Sequence, residues 1–351
     1  MATDSNQKLF FEDLDFNSLS SQLSRFIKIG TLIISLVILI LILNYIRAVY
    51  TDYLWYEQLG FQSVLLKTVF AKITLIFLGG FIASSILGIN IYYANKISKG
   101  PVQFDSDGSI LKLYKKITFW IYLVIILLFG LFSGFVLSSS WLEILMFFNF
   151  SQFNQSDPVF GKDISFYVFQ LPVLYTIQGW LLTVSILTLI ITGAIYFINS
   201  LIRGVKFEMK DSNWIQLSLI LAFIMFMLAI GSFLNRWDIV LSEGGLVDGA
   251  LYTDIHIKKI GLLVLSLIGI IITLLFLANI YIKSNKIVLG GIIIWFVSLA
   301  IITILLPISM QRFIVKPAEF VKESKYISRN IEFTKMAFGL NNTENVVLPI
   351  T

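Results

Sequence analysis

Seven apolar stretches divide the chain, at residues 29–49, 69–92, 117–137, 173–195, 214–234, 260–282 and 287–308. A helix rises about 1.5 Å per residue and the hydrocarbon core of a bilayer is about 30 Å thick, so roughly 20 residues suffice to cross it. Soluble helices of that length carry a polar face, which these stretches lack. In lipid every backbone N–H and C=O needs a partner within the protein, and only helices and closed barrels provide one. Barrel strands alternate over about 10 residues instead of running continuously apolar. The expected fold is therefore all-α, a polytopic membrane protein with seven transmembrane helices. A composition of 57% hydrophobic and 13% charged residues agrees, lying well outside the soluble range.

The net charge of +5 does not point to nucleic acid, because the basic residues sit in short loops beside apolar segments. Such placement fixes orientation. One set of connections, with the N-terminal tail, holds thirteen Lys and Arg, and the opposite set holds five. This excess predicts a cytoplasmic N-terminus and, after seven crossings, an extracytoplasmic C-terminal tail. That tail is itself basic (Arg312, Lys316, Lys322, Lys325, Arg329, Lys335), which opposes the assignment unless it opens a larger domain, since long domains translocate regardless of charge. The polar, acidic N-terminus has no basic n-region, so the first apolar run reads as a retained helix. The expected organisation is a cytoplasmic tail over 1–28, a transmembrane domain over 29–309 and an extracytoplasmic region starting at 310–351. The chain has no cysteine, which excludes disulfides and thiolate chemistry.

The three loops expected outside, 50–67, 138–172 and 235–259, are long and rich in aromatic, glycine and acidic residues, a pattern suited to specific contacts. In the first, Tyr50, Tyr53, Trp55 and Tyr56 suit an interfacial aromatic belt with a short helix ended by Gly60. In the second, Ser140-Trp141-Leu142-Glu143 has capping-box spacing ahead of a short apolar helix through Phe148. Asp157-Pro158 and Gly161 then shape a turn, where Asp157 and Asp163 are candidate cation ligands or, more simply, capping residues. The third loop brings Asp238, Glu243, Asp248 and Asp254 near the single histidine, His256. Asp238, Asp254 and His256 could contribute to a mixed carboxylate–imidazole metal site, although their spacing matches no known motif and the aspartates can equally cap helices.

No acidic residue falls mid-helix in the apolar stretches, and Arg47 and Lys72 lie near helix ends, where they can snorkel. Proton-coupled transport usually needs a titratable group near the midplane. Gly80, Ser84 and Gly88 form one small-residue stripe, and Gly130, Gly134 and Ser138 another. Such stripes serve close packing within the bundle or a homodimer seam. The common nucleotide-binding and hydrolase signatures are absent, and no cofactor is implied.

The segments 52–64, 157–172, 249–256 and 311–340 resemble, in order and spacing, the bacterial membrane family catalogued as uncharacterised protein family 0182. The resemblance rests most on Asp157-Pro158-Val159-Phe160-Gly161-Lys162-Asp163-Ile164-Ser165-Phe166-Tyr167, on Gln311-Arg312-Phe313-Ile314-Val315-Lys316-Pro317 and on Tyr326-Ile327-Ser328-Arg329-Asn330-Ile331-Glu332. It implies a seven-helix membrane portion followed by a large extracytoplasmic region, and it carries no activity. Members continue for several hundred residues beyond the equivalent of Thr351, so the tail reads as the start of a larger region. Within it, residues 324–338 are expected to form an amphipathic helix with Ile327, Ile331 and Phe338 on one side, closed by Gly339.

Elaborate outer loops and a quiet membrane interior favour a cell-envelope scaffold or assembly factor anchoring an extracytoplasmic domain. A transporter or channel component is the alternative, and a membrane enzyme using Asp157, Asp163, Asp238, Asp254 and His256 at the outer surface is the third reading. The expected partners are the lipid bilayer and either envelope proteins or further copies of the chain. The expected location is the bacterial inner membrane, or a thylakoid in a cyanobacterium.

Overall fold

The computed structural model describes residues 16–97, 108–202, 211–243 and 247–340, and every regular element among them is helical. Seven helices are long and apolar enough to cross a membrane, and each contains one of the seven apolar stretches. The chain is a multi-pass membrane protein. It forms two compact units, Met1–Phe70 and Ala71–Thr351.

The first unit contains α1 (Phe16–Gln58) and the opening turns of α2 (Gln62–Ile97). Helix α1 begins inside the segment expected to be a tail, and residues 1–15 of that tail lie outside the described residues. The aromatic segment Tyr50–Tyr56 is not a separate interfacial helix, because α1 runs through it without interruption. Nothing in the segment interrupts an α ladder before Gly60, whose φ of +74° ends it. There Gly60 N–H donates to Glu57 O and Phe61 N–H to Tyr56 O, the paired bonds of a Schellman motif.

The second unit holds the rest of α2 with α3 (Gly108–Ser139), α4 (Trp141–Phe148), α5 (Leu171–Ile202), α6 (Asp211–Asp238), α7 (Lys259–Ile282), α8 (Asn285–Ala300), α9 (Leu306–Met310) and α10 (Glu319–Ala337). One core joins α2, α3, α5 and α6 around Leu87, Phe129 and Val184, and another joins α6, α7 and α8 around Leu265, Phe276 and Trp295. Lipid gives apolar side chains no reason to leave it, so close backbone approach and buried hydrogen bonds hold such a bundle. The two small-residue stripes meet each other here. A Cβ on Gly134 would run into the Ile76 carbonyl and one on Gly130 into Ser84, while Ser84 Oγ donates to Ile126 O at 3.2 Å. Trp180 Nε1 donates to Ser133 O at 2.9 Å, and fully buried Asn279 links Ser218 to the α7–α8 turn.

Four wide turns, each closed by an N–H reaching five residues back, interrupt these helices at Phe166–Gln170, Asp254–Lys258, Ile301–Leu305 and Gln311–Val315. In three cases the closing residue directly precedes a proline: Leu171 before Pro172, Leu306 before Pro307 and Lys316 before Pro317. A proline ring clashes with the carbonyl four residues back and donates nothing to it. Widening the preceding turn accommodates both effects and lets the helix continue. The seventh crossing thus runs helically past Ile308 to Val315, and a 3-10 turn, Lys316–Ala318, follows it. Asp254–Lys258 has no such proline.

Candidate functional site

Three segments carrying the family-like motifs fold together at one end of the second unit: the 149–165 loop, residues 239–243 with 247–258, and the tail helix α10. Each is fixed by a buried carboxylate. Asp157 is 4% exposed and its oxygens accept from the backbone N–H groups of Val159, Phe160 and Lys162 and from the Tyr167 hydroxyl, the last at 2.7 Å. Gly161, at φ +66°, closes the turn by donating to Asp157 O. Asp163 accepts from Phe153 N–H at 3.2 Å and Ser165 N–H at 2.8 Å, capping the helical entry to α5. Hydrogen bonds from Ser165, side chain first and then backbone, hold its carboxyl below the ordinary value of 3.8.

Asp254 occupies the wide turn that no proline explains. One oxygen lies 2.7 Å from Lys258 Nζ, and the other accepts from Leu251 N–H and Ser242 Oγ. Next to it, Glu323 of α10 is fully buried. Its Oε2 accepts from Tyr252 N–H at 3.0 Å, while Oε1 has no hydrogen-bond partner. Thr253 Oγ1 donates to Gln311 Oε1, and Asn330 Nδ2 to Asp248 O. A tail helix and a loop more than 70 residues apart in sequence are thereby tied at both ends of their contact.

Between the three segments lies a cleft of about 320 Å³, within the size range of small-ligand and peptide-side-chain pockets. Its walls include Val168, Leu241, Val247 and Phe333, with Tyr326 and Arg329 as polar features. The Arg329 guanidinium lies 5.9 Å from the Tyr326 ring.

The metal candidates do not converge. Among the described residues no three His, Asp or Glu side chains come close enough to hold an ion. Asp157 and Asp163 serve the turn and the cap, and exposed Asp238 ends α6. Exposed His256 stacks on Tyr252 at 4.1 Å, with Nδ1 3.0 Å from Tyr252 O. Gly244-Gly245 of the third loop lie outside the described residues. The capping box expected at Ser140 does not form. Ser140 makes no side-chain cap bond, and Glu143 instead accepts from Thr176 Oγ1 of α5 at 2.7 Å. That interhelical bond directs the carboxylate to a half-buried neighbour, away from its own helix start.

The tail helix also sits in a different register from the one expected. Its inward side carries Glu323, Tyr326, Asn330 and Phe333, while Ile331 and Phe338 are exposed. Apolar periodicity selected the wrong side because the buried side is partly polar and spends those groups on loop backbone. Glu323 carried no sequence signal beyond its place in a family-like segment.

These segments agree with what similarity to other proteins shows. The family model for the uncharacterised protein family UPF0182 matches residues 29–350. The chain belongs to that family. A UPF0182 protein of Tropheryma whipplei is 32% identical over 329 residues, covering 92% of this chain and 34% of the relative. One from Desulforamulus reducens is 28% identical over 351 residues, covering 93% and 37%. One from Trichodesmium erythraeum is 30% identical over 305 residues, covering 85% and 33%. The chain thus spans about a third of the length of these UPF0182 relatives. No solved structure matches it.

Proposed function

We propose that this UPF0182 chain is a membrane anchor of a cell-envelope scaffold, with the cleft-bearing end outside the cell and the N-terminus in the cytoplasm. In this reading the cleft between the 157–168 turn, residues 240–241 and 247–250, and α10 receives a segment of an extracytoplasmic polypeptide. The convergence of three family-like segments into one cleft carries the proposal. Exposed Phe320, Val321 and Phe338 on the tail give the same partner further apolar surface. The length of the relatives supports a substantial outer region. The inner membrane is the location that the bacterial relatives favour.

A photo-crosslinking residue at Phe333, expressed in cells, tests this. The expected result is a discrete adduct with one polypeptide, lost when Arg329 is replaced by glutamate. Solute flux through the reconstituted protein, abolished by the same replacement, would overturn the scaffold reading.

A transporter or channel component is the second reading, favoured by a cavity of about 610 Å³ between α2, α5 and α6. Asn90, Gln216 and the unpartnered hydroxyl of buried Thr188 line it among many apolar side chains. The enzyme reading has the least support, since its candidate residues do not gather around one point.

A further inference from the structure

Three cations stand at one end of three neighbouring crossings without an acidic partner. Lys162 precedes the span Phe166–Leu201, Arg236 falls near the end of Asn213–Leu241 and Lys259 near the start of Asp254–Ile282. Aromatic rings connect them. Lys259 Nζ lies 4.5 Å and the Arg236 guanidinium 5.7 Å from the Phe160 ring, so the two charges are at most about 10 Å apart. Arg236 also lies 5.0 Å from Phe233, which packs on Trp237, and Trp237 packs on Phe166 beneath Lys162.

Ring contacts hold these charges without satisfying them. A ring face attracts a cation but accepts none of its N–H donors as a carboxylate would, so those donors stay available. Arg236 Nε is shut off from solvent and has no hydrogen-bond partner. Lys259 Nζ donates to Val159 O at 3.0 Å, which aims the ammonium at the 157–162 turn and leaves its other donors for a ligand. Asp157, on the same loop, already accepts four donors. Among the described residues the one ion pair is Lys258 with Asp254.

We propose that Arg236, Lys259 and Lys162 form a binding site for the phosphodiester of an anionic phospholipid. An oxygen-rich anion matches the arginine fork and the Lys259 ammonium that share the Phe160 ring, and Lys162 adds positive charge at the same end of the helices. The position at the ends of apolar helices is the level at which headgroups lie, and lipid chains would continue along the helix faces below. A headgroup with its own cation would gain less here, so the site selects phosphatidylglycerol over phosphatidylcholine. This inference rests on the membrane assignment and not on the scaffold reading.

The test is native mass spectrometry of the full chain released from nanodiscs of equimolar phosphatidylglycerol and phosphatidylcholine. Phosphatidylglycerol is expected to be retained preferentially, and Arg236→Gln or Lys259→Gln should each weaken retention about tenfold, the scale of one charge-assisted hydrogen bond. Lys162→Gln, at an exposed position that leaves the fold intact, should weaken it in the same direction. Lys325→Gln, on the exposed side of the tail helix, should change nothing. Equal retention of both lipids, or retention unaffected in the three cluster variants, would overturn the proposal. Displacement of the lipid by inorganic phosphate at low concentration would reassign the site to a soluble phosphate compound and overturn the lipid assignment.

Discussion

Glu323 is the residue on which the contact between tail and loop depends most directly. It is fully buried, and Tyr252 N–H has its carboxylate oxygen as partner. Glu323→Ala should cost about 1–3 kcal/mol, the usual penalty for leaving a buried donor unsatisfied. Glu323→Gln keeps the acceptor and the shape while turning the unpartnered oxygen into an amide, so its unfolding midpoint should equal or exceed the wild type's. Thermal unfolding in detergent separates the two, and an unchanged midpoint for Glu323→Ala would remove Glu323 from this role. Asp163 allows a test by pH. Its carboxyl is held low by Ser165, so the folded state binds its proton more weakly than the unfolded state. The resulting stability is present above the unfolded value near 3.8 and is lost as pH falls through the lower folded value. The midpoint difference between wild type and Asp163→Asn should therefore be constant near neutrality and shrink on acidification below about pH 4.

At the scale of elements, wide turns before prolines set the register of the helices beyond them. Pro317 lies just after the turn closed by Lys316, and α10 starts two residues later. With alanine at 317 the turn can tighten to an ordinary α ladder, which rotates the downstream residues by about 100° per residue of register. Pro317→Ala should therefore raise local helix propensity yet loosen α10, because Glu323 and Asn330 would turn away from Tyr252 and Asp248. Amide exchange across residues 319–337 should become faster, and slower exchange would reject the coupling. The same geometry explains why some elements were legible in the sequence and others were not. Crossing helices follow from length and apolarity alone, and Gly60 and Gly339 mark their helix ends because positive φ favours glycine. The inward side of α10 was illegible, because Glu323 and Asn330 look like solvent residues until their backbone partners are known. Ser140 misled for the converse reason. Its spacing from Glu143 fits a cap, but Thr176, distant in sequence, takes the carboxylate.

For the whole molecule, the decisive issue is which side of the membrane holds the cleft, since a partner can reach it only from there. Charge asymmetry predicts that end outside, against a basic tail that pulls the other way. The absence of native cysteine makes the question directly measurable, because each introduced thiol is the only one present. Ser328→Cys lies at an exposed position of α10, and Lys286→Cys at an exposed position after the α7–α8 turn, at the opposite end of the seventh crossing. A membrane-impermeant maleimide applied to intact cells should modify Ser328→Cys and leave Lys286→Cys untouched until the membrane is opened. The reverse pattern would put the cleft in the cytoplasm. An extracytoplasmic partner would then be impossible, and the phosphate site would face the inner leaflet with its chemistry unchanged.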